Sequence, residues 1–241
     1  MRSLTRGFRA VLLGSALGAA SLAAQAPART PGTIQYPGEM VPGKIRTAFG
    51  VSAISMPAAL VQEAAAIRWP MFSLDAVMGL PRHFMLAGTV SSEIATNHFE
   101  LSARWQAHLT DRLRADVGLG GALWFGQLKR FVFDNNVRGR FLYPSASIGY
   151  DFGTMALTAS AKASFIGSLH ARTGELEAAS TNNVYNGMSW RVSLEQPFRT
   201  HTTVGVSFQM NRLKFYYPQW PLFPTFDHRF WIPEAQIRVT L

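Results

Sequence analysis

Between His98 and Leu109 the chain alternates polar and apolar at every step. His98, Glu100, Ser102, Arg104, Gln106 and His108 fall on one side, and Phe99, Leu101, Ala103, Trp105, Ala107 and Leu109 on the other. Successive side chains of a strand point to opposite faces, so a strand here has one charged face and one wholly apolar face. The same period of two predicts ten strands, at residues 44–56, 68–78, 83–93, 98–109, 112–126, 140–152, 155–166, 185–195, 200–212 and 226–241. Turn signals fall between several of them: Gly79-Leu80-Pro81, Thr110-Asp111, Gly153-Thr154 and the stretch 196–199 with Pro197. Connections after strands two, four, six and eight are short. Those at 57–67, 127–139, 167–184 and 213–225 are longer, and the one after strand three is a short exception. Alternating strands joined by alternating short and long connections predict an all-β fold: a closed antiparallel transmembrane β-barrel of about ten strands over residues 44–241, with both termini at the short-turn end. Eight strands is the alternative if the first two do not pair in. A soluble sandwich or lipocalin-like barrel is the competing architecture, and it would turn its apolar face inward.

The N-terminus predicts the compartment. Arg2, Arg6 and Arg9 precede an apolar run at residues 11–22, and small residues follow at Ala23, Ala24 and Ala26. This is the pattern of a Sec-type signal peptide, assigned to residues 1–26. The run falls short of the roughly 20 residues a spanning helix needs. Residues 27–43 are rich in Pro and Gly and predict an extended periplasmic lead-in. The chain has no Cys, so no disulfide and no lipid-modified Cys is available. Twenty-three Lys and Arg against 14 Asp and Glu give a formal charge of +9. Loss of the three leader arginines lowers it to about +6. The basic residues are spread at strand spacing, which argues against a nucleic-acid partner. A basic rim facing anionic lipopolysaccharide and outer-membrane lipids is the expected use.

The chain resembles the small bacterial outer-membrane β-barrel proteins as a class. The resemblance covers residues 44–241 and rests on the alternating segments and an amphipathic last strand, Glu234-Ala-Gln-Ile-Arg-Val-Thr-Leu241. In that class the last strand usually ends in Phe or Trp and is read by the barrel assembly machinery. This one ends in Leu241. The resemblance implies a bacterial outer-membrane location and the assembly machinery as a partner.

The inward face is expected to carry Arg46, Asp75, Glu93, Glu100, Arg104, Arg112, Arg114, Asp116, Lys162, Arg191, Glu195, Glu234 and Arg238. The signs nearly balance, which predicts a lumen packed by salt bridges to neighbouring strands, since buried charges must be paired. Small inward residues such as Gly50, Gly118, Gly120, Ser147 and Gly149 keep a narrow pore open as an alternative. Trp69, Trp105, Trp124, Trp190, Trp231, Tyr143, Tyr150 and Tyr185 are expected in an interfacial girdle. An aromatic external loop holds Phe215, Tyr216, Tyr217, Trp220, Phe223 and Phe226. It either contacts a ligand or folds over the barrel mouth, and folding over is preferred.

Catalytic signals are weak. His98 and His108 are about 33 Å apart along one strand. Glu93 and His98 flank one hairpin, and Asp227-His228 open the last strand, but no Gly-x-Ser-x-Gly or His-Glu-x-x-His pattern occurs. No metal or cofactor is implied. The functional expectation is a non-enzymatic scaffold or surface-contact barrel. A narrow porin and a lipid- or peptide-hydrolysing barrel are the alternatives.

Overall fold

The computed structural model describes residues 32–38, 40–55, 70–93, 96–130, 133–173, 176–199, 202–216 and 228–241. Ten strands follow one another in chain order: β1 (Ile45–Ile54), β2 (Met71–Gly79), β3 (Phe84–Glu93), β4 (Thr96–His108), β5 (Leu113–Arg130), β6 (Phe133–Asp151), β7 (Ala156–Thr173), β8 (Leu176–Pro197), β9 (Thr203–Leu213) and β10 (Phe230–Thr240). Each pairs antiparallel with the next, and β1 closes on β10, so the sheet is a closed barrel with no free edge. The first two strands do pair in: Ala48 lies opposite Asp75 on one side and Thr240 on the other. The barrel therefore has ten strands, not eight.

Parity decides the faces. Along β4 the apolar positions Phe99, Leu101 and Trp105 are exposed, while His98, Ser102 and Gln106 are buried. β1, β2, β5 and β10 repeat this, with Phe49, Leu74, Leu119 and Ile237 outside and Ser52, Asp75, Asp116 and Arg238 inside. Leu101 is 57 % exposed and Asp75 is 3 % exposed. A soluble protein would reverse those numbers, so the exterior is built for lipid and the sandwich and lipocalin-like alternatives fail. On β5 the outward apolar positions run from Leu113 to Phe125. That is roughly 40 Å of strand, or about 30 Å along the membrane normal at a tilt of about 40°, enough for the apolar band of such a barrel.

The turn end holds the start of β1, the end of β10 and the short hairpins at residues 80–83, 109–112, 152–155 and 198–202. Asp151 Oδ1 accepts from Gly153 N at 2.7 Å and shapes the third of these. Gly153 has φ +86°, a conformation glycine adopts at little cost. The opposite, loop end differs from the sequence expectation. Residues 127–139 and 167–184 were expected as loops. Instead β5 and β6 continue to a connection at 131–132, and β7 and β8 to one at 174–175. The four strands β5–β8 have 18, 19, 18 and 22 residues, against 9 to 13 in the other six. Their upper parts stand beyond the apolar band, with polar and cationic outward positions such as Arg138, His170 and Asn182, so the alternation that marks a lipid-facing strand disappears there.

Candidate functional site

The lumen is filled in three layers. At the turn end the filling comes from the chain before β1. Residues 32–38 and 40–43 form a strap, and Ile34, Tyr36, Pro37 and Met40 are buried in it. The expected periplasmic lead-in thus enters the barrel over this stretch. The strap has no regular hydrogen-bonding partner of its own, and buried backbone donors must find one. They find Glu195 of β8: its carboxylate accepts from the N–H groups of Ile34 at 2.8 Å, Gln35 at 3.1 Å and Tyr36 at 2.9 Å. Gln106 Nε2 donates to Gly38 O at 3.2 Å, Arg46 to Thr33 O at 3.3 Å, and the Tyr36 hydroxyl to Arg112 O at 3.2 Å. Ile34 and Met40 pack on Ala48, Val77, Met85 and Ala87. A methyl group at Gly149 would lie 2.5 Å from the Tyr36 ring, so the glycine is there to admit the ring.

The middle layer is polar. Arg238 Nε meets Asp75 Oδ2 at 2.8 Å, and Thr89 donates to Asp75 Oδ1 at 2.7 Å. Lys162 Nζ meets Glu100 Oε2 at 2.8 Å and also sits 4.7 Å over the Tyr143 ring. Ser147 donates to Asp116 at 2.7 Å. Arg191 Nε donates to Gln209 Oε1 at 2.7 Å, and its guanidinium reaches Gln35 of the strap at 3.3 Å. Both described ion pairs depart from the expectation of neighbouring-strand partners. Arg238 on β10 crosses over β1 at Gly50, where an added methyl would fall 3.1 Å from Arg238 Cγ. Glu100 on β4 and Lys162 on β7 meet across the lumen. Gly118 is covered in the same way: an added methyl would fall 2.8 Å from Arg104 Cγ. Gly50 and Gly118 therefore seat arginine stems. A cavity of about 110 Å³ remains among Glu100, Arg104, Lys162, Arg191, Glu234 and Arg238. It is polar and large enough for a few waters.

The loop-end layer is aromatic. Trp124, Phe141, Tyr143, Ile166, Leu169 and Phe215 form one buried cluster. Phe215 packs edge-on to Trp124 at 4.9 Å and stacks on Phe141 at 6.3 Å. Phe215 is fixed by Asn186, which accepts from Phe215 N at 2.8 Å and donates to Phe215 O at 2.9 Å. Tyr216 donates to Glu234 Oε2 at 2.7 Å. His98 lies beneath, 3.3 Å from the Tyr143 hydroxyl.

Most expected lumen residues are inward, but they do not form one network. Asp75 and Arg238 pair, as do Glu100 and Lys162, with Arg104 in electrostatic range of Glu100 and Asp116. Among the described residues Arg104 Nε has no hydrogen-bond partner. Glu195, Arg46 and Arg114 belong to the strap end, and Glu93 sits at the loop-end rim in range of Glu234 rather than of a cation. Arg112 is a correction: it is exposed in a turn and bonds there through its backbone N–H and carbonyl, because the strand begins one residue later. Trp124 and Tyr143 are inside, not in the girdle. Trp105, Tyr150, Tyr185, Trp190 and Trp231 are exposed on the outside, and Trp69 lies outside the described residues. Of the aromatic loop, Phe215 and Tyr216 are folded into the mouth; Tyr217, Trp220, Phe223 and Phe226 lie outside the described residues, as do residues 1–26. The strap and Asn186 were not anticipated. The only sequence signal for the strap is Ile34, Tyr36 and Met40 in an otherwise polar stretch. Among the described residues no three His, Asp or Glu side chains converge as a metal site.

An all-antiparallel closed sheet with an apolar exterior and a charged interior defines the outer-membrane class of β-barrel. No family model and no curated protein matches the chain. Solved structures similar in shape include Ail, the attachment invasion locus protein of Yersinia pestis, at 8 % identity and TM-score 0.40, covering 83 % of this chain and all of that one. The translocator domain of the autotransporter NalP from Neisseria meningitidis has 11 % identity and TM-score 0.44, covering 98 % of this chain and 96 % of that one. Outer membrane phospholipase A from Escherichia coli has 10 % identity and TM-score 0.39, covering 81 % of this chain and 89 % of that one. At that level the likeness is one of general shape, and the chemistry has to come from this chain's own residues.

Proposed function

We propose that this is a non-conducting, non-enzymatic barrel of the bacterial outer membrane, exported through its N-terminal leader, whose work is done by its outer wall and by the tall β5–β8 hairpins. In that membrane the turn end faces the periplasm and the hairpins face outward. The observation that carries the reading is the filling of the lumen by the chain itself: the strap at one end, rings at the other and paired charges between. A transport pathway would need a continuous wet channel, whereas the polar layer here holds cavities of about 110 and 50 Å³. The inward His98 faces Tyr143, Glu100 and Lys162. The hairpins supply the surface for contact with a partner outside the cell.

Planar-bilayer recording on the refolded full-length protein tests this. Silence is expected. Steady unitary conductance that is abolished by Gly120→Trp, which blocks the mid-lumen, would replace the reading with a pore. Hydrolysis of phospholipid or peptide by the same preparation, lost in His98→Gln, would replace it with an enzyme.

A further inference from the structure

We propose that the outer wall over β4–β7 carries a binding site for a phosphorylated, multiply acylated glycolipid, the lipid A portion of lipopolysaccharide. Its phosphate sits on Arg138 and Arg140, and an acyl chain lies in the groove beneath them. The orientation with hairpins outward is taken from the reading above. Register places the parts. Arg140 lies between Leu123 on β5 and Ser168 on β7, and Arg138 between Phe125 and His170. One step below runs the row Gly88, Leu101, Gly121, Leu142.

Gly121 and Gly88 are outward positions without side chains in an otherwise apolar wall. A methyl on Gly121 would meet nothing nearer than 4.0 Å, and one on Gly88 nothing nearer than 3.8 Å. Barrel packing therefore does not require glycine at either place. Their absence of side chains leaves a notch on each side of Leu101, and the notches join a shallow groove walled by Leu74, Val90, Phe99 and Leu123 that ends at Arg140. The groove is lined mostly by apolar side chains, as a hydrocarbon chain requires.

The charge above it is one-sided. Arg138 and Arg140 are both exposed, and among the described residues neither has an ion pair or hydrogen bond. The described outward side chains of β4–β7 at this height include no carboxylate. Two guanidinium groups at the top of an apolar wall call for an anion, and their planar forks suit phosphate oxygens. Ser168, Asn182 and the Ser180–His170 pair, 3.1 Å apart, surround them with hydroxyl and amide groups. The hairpins continue several residues above this level, roughly 15 Å of strand. That height matches a sugar headgroup better than the thin headgroup layer of a glycerophospholipid.

Native mass spectrometry of the full chain in detergent, titrated with bisphosphorylated hexa-acyl lipid A, tests the site. Dephosphorylated lipid A, phosphatidylglycerol and inorganic phosphate are the comparison probes, and heat-modifiable gel mobility confirms folding of each variant. The wild type should retain intact lipid A. The Arg138→Gln/Arg140→Gln variant, or removal of the phosphates, should weaken retention about tenfold. Gly121→Phe should weaken lipid A retention several-fold while leaving its phosphate dependence in place. Equal retention of the dephosphorylated glycolipid, or indifference to the double substitution, overturns the proposal. Equal retention of phosphatidylglycerol overturns the choice of glycolipid, and full displacement by inorganic phosphate overturns the role of the groove. Conductance through the lumen is a separate measurement, so the two readings fail independently.

Discussion

At the turn end of the lumen a mobile-looking sequence, poor in periodicity, is held by a single carboxylate that collects three backbone N–H groups. At the loop end the closure is made by rings, with Trp124, Phe141 and Phe215 in mutual contact and one amide, Asn186, fixing the chain that delivers Phe215. Hydrogen bonds to a charge are directional and collective, whereas ring packing is spread over many contacts. The two closures should therefore fail differently. Losing the carboxylate releases a whole segment. Losing a ring leaves a cavity in a layer that otherwise stands.

The largest effect is expected at Glu195. Glu195→Ala removes three charge-assisted bonds at once and leaves buried donors unpaired, which costs about 3–5 kcal/mol. Denaturant unfolding in detergent should show that loss. Limited proteolysis should also cut near residues 32–43 in the variant and not in the wild type. Survival of the strap's protection would mean that apolar packing of Ile34 and Met40 holds it without the carboxylate.

Trp124→Ala should cost about 3–4 kcal/mol, since it empties a fully buried ring position. It should leave the strap protected, which separates the two ends in one pair of experiments. Asn186→Ala should cost less, about 1–2 kcal/mol, by orphaning the backbone of Phe215. Its sharper readout is increased protease access just after Leu213. The smallest effect belongs to Arg112→Ala, within about 0.5 kcal/mol, because its bonds are made by the backbone and alanine keeps them. A clear loss there would return Arg112 to the lumen network.

Strict alternation in residues 98–109 was enough to place every side chain of β4 on its correct face, and the same held wherever a strand separates lipid from lumen. It failed at the tops of β5–β8. There neither face meets hydrocarbon, so nothing forces period-two patterning, and paired strands read as loops. Trp124 shows a different limit. Its parity with Asp116 and Gly120 puts it inside, yet tryptophan's usual place at the membrane interface suggested a girdle. The strap was illegible for a third reason. Its partners, Glu195 above all, lie far along the chain, and no local pattern encodes a contact between a Pro/Gly-rich segment and the inside of a barrel. Among the charges, the pairs could not be matched from sequence because Gly50 lets the Arg238 stem pass over β1 to Asp75 and Glu100 meets Lys162 across the lumen.

The strap also constrains the order in which the molecule can be built. Glu195 stands 159 to 161 positions after the groups it gathers. The strap lies upstream of every strand, yet its anchor is on β8, so it cannot dock until that strand stands in the wall. Contacts of such sequence separation are slow to form. During that interval the strap is a tether without a mooring, and its docking reports that the wall has reached β8. Protease protection of residues 32–43 is thus a clock for barrel biogenesis, readable in a pulse-labelled cell without any assay of function.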